Sequence, residues 1–255
     1  MNENIFANVG VVILAAGKGT RLNCVDHPKA MHLVGDKPLV SYIVEKLEQA
    51  QVPKENICLV VGFCKEKITE YFGDRVSYAE QTELLGTAHA AFVGSRALPA
   101  HLKYVLVLNG DDSAFYKLET LENLVRLHTQ DGAVIPLLSV EPEDPTMYGR
   151  IIRHEDGQVE IIEKEYLTDA QKQIKETSTG TFCLDRAWFE RIFPTMPRMV
   201  KLGKLGEYGM PTTFAMAHKE GLAVRVVKLV DNKEWFGINT AEELQEADQR
   251  KKQGL

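Results

Sequence analysis

The chain has 255 residues, of which 44% are hydrophobic and 26% are charged. A chain of this length and composition can bury a large apolar core without disulfide bonds or structural metals. Its formal net charge of −6 argues against nucleic acid as the main partner, because phosphate backbones attract basic surfaces. A polyphosphate site in this chain would have to supply its positive charge locally.

The sequence also favours a cytoplasmic protein without a membrane partner. Residues 1–8 lack the basic start of a secretory signal, and the apolar run over residues 9–16 is too short to span a bilayer. Four cysteines occur without a C-x-x-C pair, which is typical of reduced thiols in a cytosol.

Strand and helix patterns alternate over the first 140 residues. The predicted strands cover residues 9–14, 57–61, 76–79, 104–108 and 133–140, and the predicted helices begin near residues 38, 64, 87 and 118. This alternation predicts an α/β fold with a doubly wound, mostly parallel, Rossmann-like sheet.

The pattern changes after about residue 141. Short strand patterns at residues 148–154, 159–163 and 178–184, with few helices between them, predict a small β-rich lobe carried on the sheet. Residues 222–230 form a late strand pattern. Thr240 and Glu243 match a capping box, which predicts the start of the last helix.

The most informative segment follows the first predicted strand. Gly17 and Gly19 lie among three cations, Lys18, Arg21 and Lys29. Small residues let backbone N–H groups approach an anion closely, and open α/β sheets bind ligands at the carboxyl ends of their strands. The segment therefore predicts a phosphate-binding loop.

Two common phosphate motifs do not fit this loop. A P-loop would need glycine at Val12 and a hydroxyl at Gly19, and a dinucleotide-binding fingerprint would need a small residue at Leu22. The pattern therefore favours a nucleotide-binding loop of a third kind.

An acidic segment follows the strand predicted at residues 104–108. Asp111 is the first candidate for a Mg²⁺ ligand, and Asp112 either contributes or shapes the turn. Mg²⁺ commonly takes one or two carboxylates together with substrate phosphate oxygens. Asn239, just before the last helix, is either a metal-directed amide or part of the helix entry.

Several segments, in this order, resemble the uridylyltransferase domain of the bacterial N-acetylglucosamine-1-phosphate uridylyltransferases, within the sugar nucleotidyltransferase superfamily. The matching segments are LAAGKGTRL (14–22), PK (28–29), EQTELLGTAHA (80–90), NGDD (109–112), DPTMYGRIIR (144–153), IIEKE (161–165), STGTF (178–182), EYGMPT (207–212) and FGIN (236–239). The segments at 14–22, 80–90 and 144–153 are the most specific.

The resemblance implies a role for each matching residue. A nucleotide-binding group would comprise Leu14, Ala15, Ala16, Gly17, Gly19, Gln81, Gly86 and Thr87, of which Gln81, Gly86 and Thr87 would read the pyrimidine. Arg21 and Lys29 would be catalytic, Asp111 and Asn239 would hold Mg²⁺, and the sugar side would comprise Asn109, Gly149, Glu163, Ser178 and Thr179. The division implied is a nucleotide-binding part at 9–140, a sugar-side part at 141–230 and a C-terminal helix at 231–255, within one domain.

The sugar end departs from the family pattern, whereas the triphosphate end keeps it. Asn109 stands where the family usually has tyrosine, Ser113 where it has proline, and Ser178 where it has asparagine. Residues 208–212 differ as well. No hexapeptide repeat of the acetyltransferase type occurs in the sequence, so acetyl transfer is not expected.

The reaction implied is uridylyl transfer from UTP to N-acetylglucosamine 1-phosphate, with release of pyrophosphate. Two alternatives stay open. Another sugar 1-phosphate or an alcohol phosphate could be the acceptor, with UTP, dTTP or CTP as donor, since function depends on site details rather than on fold. A non-catalytic paralogue that binds a nucleotide sugar is the second.

Overall fold

A computed structural model describes residues 4–19, 22, 26–201 and 204–254, which form a central sheet with helices on both faces. The strands are β1 Val9–Leu14, β2 Leu33–Val34, β3 Lys37–Pro38, β4 Ile57–Val61, β5 Ser77–Glu80, β6 Tyr104–Asn109, β7 Ile135–Val140, β8 Arg150–Arg153, β9 Val159–Ile162, β10 Thr177–Asp185, β11 Val200–Lys201, β12 Lys204–Leu205 and β13 Val224–Lys228. The helices are α1 Leu39–Gln49, α2 Lys65–Phe72, α3 Thr87–Ala97, α4 Leu118–Asp131, α5 Arg186–Ile192, α6 Pro211–Lys219 and α7 Ala241–Lys252.

The central sheet has seven strands in the order β13-β7-β10-β6-β1-β4-β5. All neighbours pair in parallel except β10, which runs antiparallel to both β6 and β7. Leu14, the last residue of β1, lies directly opposite Asn109, the last residue of β6. The segments that follow these two strands therefore leave the same edge of the sheet side by side.

The sheet is buried on both faces, which explains why its strands are apolar without alternation. Val11 and Ile13 belong to the apolar cluster that includes side chains from α1, α2 and α4, whereas Val12 belongs to the cluster that includes side chains from α3, α5 and α6. The prediction of an α/β fold with a mostly parallel sheet is confirmed. No helix within the described residues has the length and apolar character needed to cross a bilayer.

The second half of the chain differs from the prediction of a β-rich lobe with few helices. Two strand pairs lie outside the central sheet there, β8 with β9 and the very short β11 with β12, whereas β10 and β13 join the central sheet. The sequence contained a signal for this: Phe182 and Leu184 pack on one face of the sheet and Cys183 on the other, as expected for a central strand. Helices α5 and α6 were not predicted, and the predicted strand ends elsewhere differ by one or two residues.

Candidate functional site

Two adjoining cavities lie at the edge of the sheet where β1 and β6 end. The loop cavity, of about 460 Å³, is lined by the segment after β1 and by residues near the start of α3. The hairpin cavity, of about 430 Å³, is lined by residues of the β8–β9 hairpin, β10 and the segment before α7. Among the described residues, those that border both cavities are Leu14, Lys29, Thr87, Asn109 and Asp111.

The segment after β1 forms one wall of the loop cavity. Ala15 and Ala16 are buried, and the backbone of this segment is tied to the neighbouring strand because Ala15 N–H donates to the Val60 carbonyl at 2.9 Å. Gly17 and Gly19 continue the wall, and Gly19 has a φ of +60°, which favours glycine. Arg21, predicted to be catalytic, lies outside the described residues.

The opposite wall of the loop cavity is built by Gln81, Gly86 and Thr87. The Gln81 amide nitrogen donates to the Gly86 carbonyl at 3.1 Å and lies 3.0 Å from His89 Nδ1. Gly86 has a φ of +107°, and a Cβ at this position would lie 2.6 Å from the Tyr208 carbonyl oxygen. Only glycine at position 86 therefore allows the start of α3 to pack against residues 207–208.

The boundary between the cavities carries an ion pair. Lys29 Nζ contacts Asp111 Oδ2, and the two side chains are 18% and 26% exposed. Lys29 begins a short 3-10 helix, and Asp111 follows β6, so the parallel pairing of β1 with β6 brings the cation and the carboxylate together. Both groups remain accessible to a ligand from either cavity.

Asn109 lies beside this pair and is held by two contacts. Its amide Nδ2 donates to Asp112 Oδ2 at 3.2 Å. The same nitrogen also lies against Gly180, where a Cβ would be only 2.3 Å from it. Gly180 also has a φ of +77°, so both sterics and backbone conformation require glycine.

Asp112 is a buried carboxyl behind the predicted metal ligand. Burial, together with the neighbouring charge of Asp111, raises its pKa well above the usual value, although Lys29 and the hydrogen bond from Asn109 oppose that rise. The adjacent phenol of Tyr116 also has a raised pKa, chiefly because it is fully buried and secondarily because Asp112 is close. Asp112 and Tyr116 therefore lie behind Asp111 in surroundings of low dielectric constant, and they do not form a solvated acidic patch.

The four sugar-side residues predicted at 149–179 all line the hairpin cavity. Gly149 packs so tightly that a Cβ would lie 2.6 Å from the Ile162 carbonyl oxygen, and Glu163 follows β9 immediately. Ser178 Oγ accepts a hydrogen bond from Gly180 N–H at 3.0 Å. Thr179 is 1% exposed and its hydroxyl donates to the Leu138 carbonyl at 3.1 Å, so a ligand would meet its backbone rather than its hydroxyl.

Asn239 lines the hairpin cavity, as Asp111 does. Its amide nitrogen donates to the Tyr148 hydroxyl at 3.3 Å, so the carbonyl oxygen Oδ1 is the end of this side chain that could bind a cation. The described residues contain no cluster of three or more His, Cys, Asp or Glu side chains suited to a metal. One carboxylate and one amide oxygen match the sparse protein ligation of Mg²⁺, which usually keeps water and phosphate ligands, better than that of zinc.

Sequence reasoning missed several residues of the site. Trp235 and Tyr148 meet edge to face with ring centroids 5.1 Å apart, and both line the hairpin cavity, as does Met210. Glu207 lines the loop cavity. Tyr148 and Met210 lie inside the segments that carry the resemblance, so their positions in those segments were the available signal.

Comparison with known proteins assigns the chain to a family. The family model described as nucleotidyl transferase matches residues 10–250. The chain belongs to this family. It is 37% identical over 238 residues to the bifunctional protein GlmU of Enterococcus faecalis, a match that covers 93% of this chain and 50% of that protein. With the bifunctional protein GlmU of Halalkalibacterium halodurans the identity is 34%, over 95% of this chain and 52% of that protein.

The chain therefore spans about half the length of the curated relatives that it matches. Among solved structures, a putative glucose-1-phosphate thymidylyltransferase from Bacillus anthracis, in complex with a sucrose, superposes with a TM-score of 0.74 at 21% identity. This match covers 95% of the present chain and 94% of the other. At that identity the match supports the fold, and the family assignment depends on the sequence matches.

Proposed function

We propose that the chain transfers a uridylyl group from UTP to N-acetylglucosamine 1-phosphate and releases pyrophosphate. The observation that carries this proposal is the pair of cavities with a shared boundary at Lys29 and Asp111. A reaction between two phosphorylated substrates needs two adjoining pockets. The phosphates of the two substrates have to meet where a cationic side chain and a possible metal ligand lie together. The family assignment and the relatives named GlmU favour the same reaction.

In this proposal the nucleotide occupies the loop cavity. The Gln81 amide nitrogen already has two partners within 3.1 Å, so the Gln81 carbonyl oxygen Oε1 is the group that would face a base. That oxygen accepts a hydrogen bond from the N3–H of uracil or thymine, whereas N3 of cytosine is itself an acceptor. The site therefore favours UTP or dTTP over CTP.

The sugar phosphate occupies the hairpin cavity, and its phosphate oxygen attacks the α-phosphorus of the triphosphate in line. A bond forms between that oxygen and phosphorus, the bond to the β-phosphate oxygen breaks, and pyrophosphate leaves without a covalent enzyme intermediate. Lys29 and Arg21 would offset the phosphate charges, and alignment of the two substrates would supply much of the rate. Asp111 and Asn239 would hold Mg²⁺, which when bound neutralises phosphate charge.

A panel of substrates tests the proposal. The four nucleoside triphosphates are each paired with N-acetylglucosamine 1-phosphate, glucose 1-phosphate and an alcohol phosphate, with and without Mg²⁺, and pyrophosphate release is measured. The expected result is turnover with UTP and N-acetylglucosamine 1-phosphate that requires Mg²⁺ and is nearly abolished in Asp111→Asn. UTP binding without pyrophosphate release from any pair would contradict the proposal and favour a non-catalytic nucleotide-sugar-binding protein.

A further inference from the structure

The proposed metal ligand Asp111 lies in a segment without helix or strand. Residues 110–117 connect β6 to α4 through turns alone. Such a segment keeps one conformation only where its buried backbone groups have partners, because no helix or sheet supplies them. Just before Asp111, the backbone lies against α1, since a Cβ at Gly110 would be 3.4 Å from Val40 Cγ2. The position of the Asp111 carboxylate therefore depends on what binds the backbone after it.

Lys46 of α1 binds the backbone after Asp111. Its Nζ donates to the Ala114 carbonyl at 3.0 Å and also to the Tyr116 carbonyl. Ala114 and Tyr116 are 1% and 0% exposed, so little water can reach these carbonyls to replace the ammonium group. One side chain thus satisfies two buried acceptors in the segment that carries the proposed metal ligand.

The charge of Lys46 strengthens these two contacts. Lys46 is half-buried, and it forms no ion pair within the part of the chain that the structure describes, so the two carbonyls are its polar partners. Burial, with the charges of Lys251 and Lys37, lowers the pKa of Lys46 to about 8, although Glu234 opposes this change. The group therefore stays charged at pH 7, and hydrogen bonds from a charged donor are about twice as strong as neutral ones.

Lys46 lines neither cavity, and it lies outside the segments that carry the family resemblance. We infer that Lys46 is a positioning residue for the metal: by binding the backbone after Asp111, it holds the Asp111 carboxylate where Mg²⁺ has to bind. This inference rests on the proposed function, in which Asp111 is a ligand of Mg²⁺.

Loss of Lys46 should weaken the binding of Mg²⁺ more than it slows the chemical step. Without the ammonium group, the Asp111 turn would occupy its binding-competent position for only part of the time, and the apparent dissociation constant rises as that fraction falls. In Lys46→Met we expect the Mg²⁺ concentration for half-maximal rate to rise about tenfold or more, the range for one lost hydrogen bond to a charged group. Because bound metal selects the competent position, kcat at saturating Mg²⁺ should stay within about threefold of the intact enzyme.

Arg186 provides a matched control at the other end of β6. It is also a buried cation bound to backbone carbonyls, those of Pro99 at 2.6 Å and Ser95 at 2.8 Å. Its own N–H donates to the carbonyl of Lys103, the residue before β6 begins. Arg186→Met should therefore lower the melting temperature but leave the Mg²⁺ requirement unchanged.

Two measurements compare the intact chain with both variants. Pyrophosphate release is followed at fixed UTP and N-acetylglucosamine 1-phosphate over a series of Mg²⁺ concentrations. The rise in melting temperature when Mg²⁺ is added to the protein with UTP reports metal binding without turnover, and it should be much smaller in Lys46→Met at the same Mg²⁺ concentration. If Lys46→Met does not fold, Lys46→Gln, which has a shorter and neutral donor, is compared in its place.

A half-saturating Mg²⁺ concentration in the Lys46 variant within about twofold of the intact value would show that the inference is wrong. An equal increase in Arg186→Met would also overturn it, because destabilisation alone would then explain the effect. Both results would leave the proposed function standing, since the intact chain would still release pyrophosphate. Absence of pyrophosphate release from the intact chain with every acceptor would instead contradict the proposed function.

Discussion

At the scale of single residues, Lys29 has two possible partners. In the described structure its ammonium group pairs with Asp111, and in the proposed reaction it would turn to the phosphates. Because Lys29 lies on the boundary of both cavities, loss of the Lys29 charge should weaken the binding of both proposed substrates.

Lys29→Met tests this role. We expect kcat/KM to fall by about a hundredfold or more, the range for removal of one charge-stabilising group, because two anions would then meet without their nearest cation. Steady-state pyrophosphate release gives the number, and Lys29→Arg is the control that keeps the charge. A Lys29→Met enzyme within about threefold of the intact one would show that this ion pair is purely structural.

Gly180 and Gly157 form a matched pair for a second prediction. Both have positive φ, +77° and +83°, but a Cβ at 157 meets nothing within 4 Å, whereas one at 180 would meet Asn109 at 2.3 Å. Gly157→Ala should therefore cost only backbone strain, about 1–2 kcal/mol of unfolding free energy. Gly180→Ala should cost about 1–3 kcal/mol more from overpacking and should also raise the KM of the sugar phosphate.

Chemical denaturation of the two variants measures the difference between them. Equal destabilisation with unchanged kinetics would mean that Asn109 moves away freely and is not fixed by Gly180.

The site residues also show how much of the site could be predicted from the sequence. The candidate residues around the two cavities were selected from motifs, and the sixteen that fall within the described residues line one cavity or the other. The contact between Lys29 and Asp111 was not derivable, because the two are distant in sequence and meet only through the pairing of β1 with β6. The orientation of the Asn109 amide likewise depends on Asp112 and Gly180, whose positions no local pattern predicts.

At the scale of elements, Glu234 joins two segments that carry proposed metal ligands. It is 5% exposed and accepts hydrogen bonds from the Lys117 backbone N–H at 3.0 Å and from the Thr120 hydroxyl at 2.6 Å. It thereby fixes the segment that leads to Asn239 against the start of α4, which follows the Asp111 turn.

Glu234→Ala would leave those two donors without their acceptor, so we expect a loss of about 2–3 kcal/mol in the free energy of unfolding. Glu234→Gln keeps an acceptor oxygen and should lose less. Urea unfolding, with m-values compared to confirm the same two states, provides the measurement. Equal stability of Glu234→Ala and the intact chain would show that the contact contributes nothing.

Glu176 ties the β8–β9 hairpin to the central sheet. It accepts from Ser139 Oγ in β7 at 2.6 Å and from Arg153 Nη2 in β8 at 2.7 Å. Burial raises the pKa of Glu176, but the hydrogen bonds from Arg153 and Ser139 outweigh it, so the pKa lies below the usual value of 4.5. The stabilisation is therefore present above pH 4.5 and is lost as the pH falls through the lowered pKa.

We expect Glu176→Gln to be less stable than the intact chain at pH 7 and the difference to shrink as the pH falls below about 4.5. Thermal unfolding of both proteins between pH 3 and 7, in buffers of about equal ionic strength, gives the two curves. A stability difference that does not depend on pH would contradict the assignment.

The elements that could be predicted are those with unambiguous periodicity. β1, β4 and β6 are buried on both faces, α1 and α4 have clear apolar faces, and Thr240 does form the capping box of α7. Helix α5 has only seven residues, too few for a periodic pattern to stand out from its surroundings. The antiparallel direction of β10 depends on which strands it joins. The direction of a strand cannot be predicted from the composition of that strand alone.

At the scale of the whole molecule, an acidic chain would have to bind the anionic substrates of the proposed reaction. The net charge is −6, and in the proposed reaction Lys29, Arg21 and the metal would supply the positive charge that answers it. Ligand binding should then depend strongly on Mg²⁺ and should stabilise the fold as a unit, because residues of the site come from both halves of the chain.

A thermal-shift experiment tests that coupling. At about 100 times its dissociation constant a ligand adds about 2.7 kcal/mol, which corresponds to a rise in melting temperature of about 5–10 °C for a chain of this size. We expect such a rise with UTP and Mg²⁺, and a much smaller one with UTP alone or in Asp111→Asn. A rise of the same size without the metal would contradict the ligand role of Asp111.

The small number of residues that border both cavities also limits how such a protein can diverge. Gln81 and Gly86 border the loop cavity alone, and Ser178 and Glu163 the hairpin cavity alone. A lineage could therefore exchange one substrate for another by substitutions on one side while the choice of the other substrate is inherited unchanged. Lys29 and Asp111, which serve both sides, have no such freedom.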